Sequence, residues 1–313
     1  MALNYAEVWE PELLEILIQG TLTSPFVTQN VRWLDAKTFH FTQMSTSGYK
    51  KHSRNGGWNK GSYAQTDVPF TLEHDRDISF LVDKAEVDET NQTASIQNIS
   101  RVFEQTQAVP ETDALFFSKL AQKAQGTEGY HSSTATTDYT AENTFSKLKE
   151  YLATGKLRRY KANGSLVMYV TSAIMDNLEN SKEFTRKIEM TQVAEGGIGI
   201  ETRVTDIDGV PVMEVIDDER FYDKFNFDPT DGGFEPVASE SHRINVLVAC
   251  GQTCKTVPKI SSIYYFEPGT HTEGDGYLYQ NRSLSDVFVF PNGKDNKIDS
   301  IYVDVDTTAY TAV

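Results

Sequence analysis

Cysteine is nearly absent from this 313-residue chain: Cys250 and Cys254, in CGQTC, are the only two. Their CxxxC spacing has no second cysteine pair and no histidine cluster beside it, so a zinc site would lack half of its ligands. Both are expected to be small buried side chains on or beside a strand. Long apolar runs are missing as well, since runs such as NVLVAC at 245–250 fall far short of the roughly 20 residues a spanning helix needs. Leu13, Leu14, Ile16, Leu17 and Ile18 lie near the N-terminus, but Glu7, Glu10 and Glu12 precede them where a secretory leader carries lysine or arginine. An intracellular, non-membrane product is expected. Positive charge is scarce too: 29 Lys and Arg against 45 Asp and Glu leave a formal net charge of −16. A surface designed to grip nucleic-acid phosphates is therefore not expected, because such binding draws its affinity from lysine and arginine.

The residue constellations of common enzymes are equally sparse. GIGIETR at 197–203 has neither dinucleotide-fingerprint nor phosphate-loop spacing, and its glycines suit a turn. DIDG at 206–209 and GDG at 274–276 do not continue into a twelve-residue calcium loop, and Asp with Gly favours tight turns. The six histidines show no HExxH or paired spacing, and no GxSxG elbow or Cys/His pair stands out. The densest polar cluster is EHDRD at 73–77, where Arg76 between Asp75 and Asp77 suggests ion pairing at a strand end. Neither an enzyme nor a cofactor is expected.

One segment breaks the acidic pattern. GYKKHSRNGGWNKGSY, residues 48–63, holds Lys50, Lys51, Arg54 and Lys60 with no acidic residue among them. It is flanked by two alternating runs, KTFHFTQ at 37–43 and VPFTLEH at 68–74, which predict a long antiparallel hairpin with this segment at its tip. A lone two-stranded hairpin is marginal in water. It needs another surface to lie on, and in so acidic a chain the basic tip fits a second copy of the same protein better than it fits nucleic acid.

The rest of the chain reads as mixed helix and strand. EPELLEILIQG at 10–20 predicts a short helix and the following residues an extended arm. ISFLVD at 78–83 predicts a strand. Residues 88–107 predict a long amphipathic helix with Ile96, Ile99, Val102 and Phe103 on one face; Pro110 interrupts it, and PETDALFFSKLAQKA resumes the pattern as a kinked continuation or a second helix. A helix at about 139–153 closed by Gly155, a strand at 164–170, and a short helix at 171–180 capped by Thr171 or Ser172 follow, then strand-like runs.

In this order, LEHDRDISFLVD, VDET, VPETDALFFSKLAQKA, GSLVMYVTSAIMDNLENS, TRVTDIDGVPVMEV with ERF, INVLVACGQTCKTVPKISSIYYFEP and GDGYLYQNRSLSDVFVFPN resemble the successive segments of tailed-bacteriophage major capsid proteins. The resemblance spans residues 3–305. Ile216, where proline is frequent, and Ala85 and Glu86, where Met-Asp is usual, depart from the pattern. The resemblance implies an α+β subunit of the Hong Kong 97-type fold: N-arm (1–37), E-loop hairpin (38–83), P-domain with a long spine helix (84–160), A-domain (161–280) and a return to the P-domain (281–313).

It further implies a homo-oligomer of hexamers and pentamers forming an icosahedral shell, built with a scaffolding protein and a portal in the host cytoplasm and maturing into a virion. The shell would enclose double-stranded DNA touched only non-specifically, with carboxylates lining the lumen. An encapsulin-like compartment shell is the alternative within the fold, and a tail or baseplate protein the alternative outside it, which the long kinked helix argues against. Under this reading Lys50, Lys51, Arg54 and Lys60, with Trp58 as apolar anchor, meet a neighbour's carboxylates, the candidates being Asp83, Glu86, Asp88 and Glu89 near the start of the spine. Some such shells join a hairpin lysine covalently to a neighbour's asparagine; Lys50, Lys51 and Lys60 are candidates by position alone.

Overall fold

A computed structural model describes residues 19–28, 35, 37–52, 56, 58–84, 96–181, 189–191, 202–292 and 297–311. Most of the helix expected at 10–20, and the first turns of the one expected from 88, lie outside them.

The expected hairpin is present and longer than its alternating runs. Strands β1 (Thr38–Thr46) and β2 (Tyr63–Thr71) pair antiparallel without a break, from Thr38 opposite Thr71 to Thr46 opposite Tyr63. After a three-residue corner, β3 (Asp75–Asp83) leads to the long helix. That helix is one rod in three parts: α1 (Ile96–Phe103), a π-helical turn (Glu104–Ala108) and α2 (Val109–Gln125). Pro110, in the first turn of α2, has no N–H to donate backwards, and the wider turn before it lets the rod continue. Pro110 thus marks a continuation through a π-helical turn rather than a break between separate helices.

Next come β4 (His131–Ser133), α3 (Thr144–Ala153), α4 (Leu157–Lys161), β5 (Leu166–Thr171) and α5 (Ser172–Glu179). The third helix starts five residues later than its pattern suggests. Tyr139 is spent on the core instead: its hydroxyl donates to Asp304 at 2.6 Å and lies 2.9 Å from the Tyr151 hydroxyl. At α5 the cap position is Thr171, but its side chain makes no capping hydrogen bond, and Ser172 donates to the Val215 carbonyl. The remaining strands are β6 (Glu189–Thr191), β7 (Thr202–Ile207), β8 (Val210–Val215), β9 (Phe225–Asn226), β10 (Glu235–Pro236), β11 (His242–Cys250), β12 (Cys254–Phe266), β13 (Gly276–Val289) and β14 (Tyr302–Ala309).

Seven strands form the main sheet, in the order β4-β14-β11-β5-β8-β7-β6. Side chains alternate across it. Tyr169, Leu247, Ala249 and Val303 face the spine residues Leu115, Phe116, Phe117 and Leu120, while Met168, Val170, Val246 and Val248 face Leu148, Leu157 and Ile174 of the short helices. Burial on both faces explains why β11 reads as an unbroken apolar run rather than an alternating one. Cys250 closes β11 and Cys254 opens β12, both fully buried free thiols as expected, and burial pushes the Cys254 thiol up to about 12.

A second sheet, β12-β13-β3, carries the spine's first half, with Val82, Phe80 and Tyr279 against Ile96 and Ile99. Residues 254–289 join residues 75–83 beneath the spine. The last strand sits between β4 and β11 in the main sheet, with Val303 and Val305 packed in the same cluster as Leu115 and Leu120 of the spine. Strand pairing brings together segments some 200 residues apart, which local patterns do not encode. The turn expected at DIDG is there: Asp208 and Gly209 adopt positive φ between β7 and β8, and Asp206 Oδ1 accepts the Gly209 N–H at 2.6 Å.

Candidate assembly surfaces

The hairpin leaves the body of its own chain. At its root Phe39 and Phe70 stack at 5.5 Å and meet Phe288 edge-on at 5.1 and 5.3 Å, closing a small core with Leu72, Val257 and Leu284. Beyond that root apolar cover ends. Met44, Tyr63, Tyr49 and Trp58 are exposed, the indole at 95%. Lys50, Lys51 and Lys60 are exposed and have no ion-pair partner among the described residues. Among the described residues of the tip, Asn59 Nδ2 donates to the Lys51 carbonyl at 3.0 Å and Ser62 N to Ser47 Oγ at 2.9 Å. A lone two-stranded ladder is marginal in water, and this one ends in exposed aromatic and cationic side chains.

Of the other residues expected at the assembly contact, Asp83 ends β3 opposite Gly276. Arg54, Glu86, Asp88 and Glu89 lie outside the described residues.

EHDRD is a structural junction, but its pairs differ from the expected ones. Successive residues of a strand point to opposite faces, so Arg76 does not pair with Asp75 or Asp77. Asp75 instead takes a two-pronged contact from Arg282, at 3.1 and 3.0 Å, and Lys37 at 3.3 Å; the Arg282 guanidinium holds its carboxyl below the usual carboxylate range. Arg76 reaches Glu111 of the spine at 2.8 Å, the Gly233 carbonyl at 2.9 Å and the Phe227 carbonyl. His74 also meets Glu111, at 3.1 Å. Nearby, buried Asp286 accepts the Glu73 N–H at 3.0 Å and lies 3.5 Å from Lys119. The hairpin root is thereby fixed to the spine and to the loop around residues 227–233.

A second junction fastens the N-terminal segment. Arg220, 1% exposed, pairs at 3.0 Å with fully buried Asp113 of the spine and donates to the Gln19 carbonyl at 2.9 Å and to Asp217. Asp113 also accepts from Leu22 N, Thr23 Oγ1 and Thr21 Oγ1 at 3.0, 2.7 and 3.0 Å. The Gln19 side chain bridges the Glu214 carbonyl and the Ile216 N–H, both at 2.9 Å. Sequence reasoning missed Glu111, Asp113, Arg220 and Asp286. The one available signal was Asp113 itself, a charge within the apolar pattern of PETDALFF.

No family model matches the chain, and no curated protein does. Solved structures do. A structure from Mycobacterium phage Che8 superposes with a TM-score of 0.62 at 14% identity, over 97% of this chain and 98% of that one. The bacteriophage PhiM1 mature capsid gives 0.64 at 12% identity over 97% and 92%, and the capsid of cyanophage P-SCSP1u gives 0.60 at 10% over 98% and 94%. The chain has the Hong Kong 97-type α+β fold of these phage capsid structures.

Proposed function

We propose that this protein is the major shell subunit of a tailed-phage head, with a structural rather than an enzymatic role. Copies gather as hexamers and pentamers into an icosahedral shell in the host cytoplasm, around a scaffolding protein and with a portal. The shell becomes the virion capsid, and the double-stranded DNA inside touches it only non-specifically. The observation that supports this reading is the end-to-end likeness to these phage structures, with over 90% of each of the three compared chains covered; the hairpin, the spine and both sheets occur together among the described residues.

The hairpin supplies the physical support. Met44, Tyr49, Trp58 and Tyr63 of its outer half are exposed, so their burial comes from a neighbour. Lys50, Lys51, Arg54 and Lys60 meet carboxylates there, and Trp58 contributes the apolar area of a hot-spot residue. Sedimentation over a range of concentration and salt, with electron microscopy of the heavy fraction, tests the reading. Capsomers, tubes or closed shells that weaken when the four cations are changed to glutamate are the expected result. A strictly monomeric protein at high concentration, with and without a co-expressed scaffold, would remove it.

A further inference from the structure

We propose that the cleft beside the hairpin root is the receptor for the hairpin tip of a second copy. This rests on the shell-subunit reading and names the partner surface that the reading leaves open.

The cleft encloses about 840 Å³ between β3, the spine from Phe103 to Leu115, β13 and the loop at 228–233. Its wall carries the apolar side chains Ile78, Phe80 and Phe103, and Asp77, Asp228 and Asp231 are exposed around it. Arg76 is already committed to Glu111 and two backbone carbonyls, and His74 Nε2 lies 3.1 Å from Glu111. Asp228 and Asp231, in contrast, form no ion pair among the described residues. The open charge of the cleft is therefore negative around an apolar wall.

The tip is its chemical complement. One exposed indole, Trp58, stands among Lys50, Lys51 and Lys60, and these three lysines have no ion-pair partner among the described residues. An aromatic ring against Ile78, Phe80 and Phe103 with ammonium groups at the aspartates is the arrangement of a buried anchor within a charged rim. Because Arg76 ties β3, the spine and the 228–233 loop together, the receptor is held in shape before the tip arrives, which lowers the entropic cost of docking.

The occupant cannot be the same chain's tip. Nine consecutive pairs separate root from tip, roughly 30 Å at the rise of an antiparallel strand, and the cleft lies at the root. Each copy thus presents a tip at one end and a receptor at the other. Such a contact is head-to-tail and closes into a ring when the rotation between copies allows it. Asp83 lies at the opposite end of β3 from Asp75, so the receptor is distinct from the acceptor group expected near the start of the spine.

A charge swap in the full chain tests this. Asp228→Lys with Asp231→Lys reverses the receptor, and Lys50→Glu with Lys51→Glu and Lys60→Glu reverses the tip. Each set alone is expected to raise the concentration needed for assembly about tenfold or more, as like charges at an interface disfavour docking. Combining both sets in one chain is expected to recover most of that loss. All five side chains are exposed, and unchanged melting midpoints would show that the variants fold. A reversed receptor that assembles like the parent while the reversed tip fails would overturn the cleft and leave the shell reading standing. So would a combined variant worse than either set. A parent chain that never assembles would overturn the shell reading, and the receptor with it.

Discussion

Replacing Asp113 by alanine removes the carboxylate around which the N-terminal junction is organised. Among the described residues, Arg220 would stay buried with Asp217 as its one charged partner, and its Nε already lacks a hydrogen-bond partner. Three donors, Leu22 N, Thr21 Oγ1 and Thr23 Oγ1, would lose their acceptor. Breaking a buried pair from one side costs about 3–5 kcal/mol, because the remaining charge is left uncompensated. Against a typical total of roughly 5–15 kcal/mol, that is a large part of the stability. The urea midpoint should fall accordingly, and hydrogen exchange at the Leu22 amide should accelerate toward the rate of an exposed amide. The double variant Asp113→Leu with Arg220→Met removes both charges, and should cost less than either single change although it deletes more contacts. A cost below about 1 kcal/mol for Asp113→Ala, or a double-variant cost equal to the sum of the singles, would refute the argument that the two charges stabilise each other.

Gly155 and Gly164 separate two effects. Both have positive φ, but a Cβ at 155 would stand 2.5 Å from the Tyr130 hydroxyl, whereas at 164 it would meet nothing within 4 Å. Gly164→Ala should cost about 1 kcal/mol from backbone strain alone, and Gly155→Ala clearly more; equal losses in denaturant unfolding would contradict the steric reading. Asp75 gives a pH dependence. Its carboxyl is lowered, chiefly by Arg282, so its stabilising effect is fully present above the ordinary carboxylate pKa of about 4 and is lost as pH falls below it. The parent should lose its small advantage over Asp75→Asn in that acid range, and an advantage unchanged at pH 3 would argue against the pairing.

Much of the local structure was legible. The hairpin followed from two alternating runs around a polar stretch, and the spine from the spacing of Ile96, Ile99 and Phe103. The DIDG turn followed from the freedom of Asp and Gly at positive φ. The buried cysteines followed from ordinary burial preference. Where pattern reading slipped, a long-range contact had taken a residue away from its local preference. Tyr139 is buried against Asp304 rather than starting a helix, and Arg76 reaches Glu111 rather than its sequence neighbours.

By itself, then, the sequence determined the elements and the charge pattern: an acidic chain with one basic, aromatic hairpin tip, since alternation, helical spacing and net charge are properties of neighbouring residues. Only the tertiary structure decided which strands share a sheet, which charges are buried as partners, and where an acidic cleft with an apolar wall opens. Those depend on residues such as Asp113 and Arg220, or Phe80 and Asp231, brought together from more than 100 positions apart. The free energy of each such contact exists only once the chain has closed the loop between them.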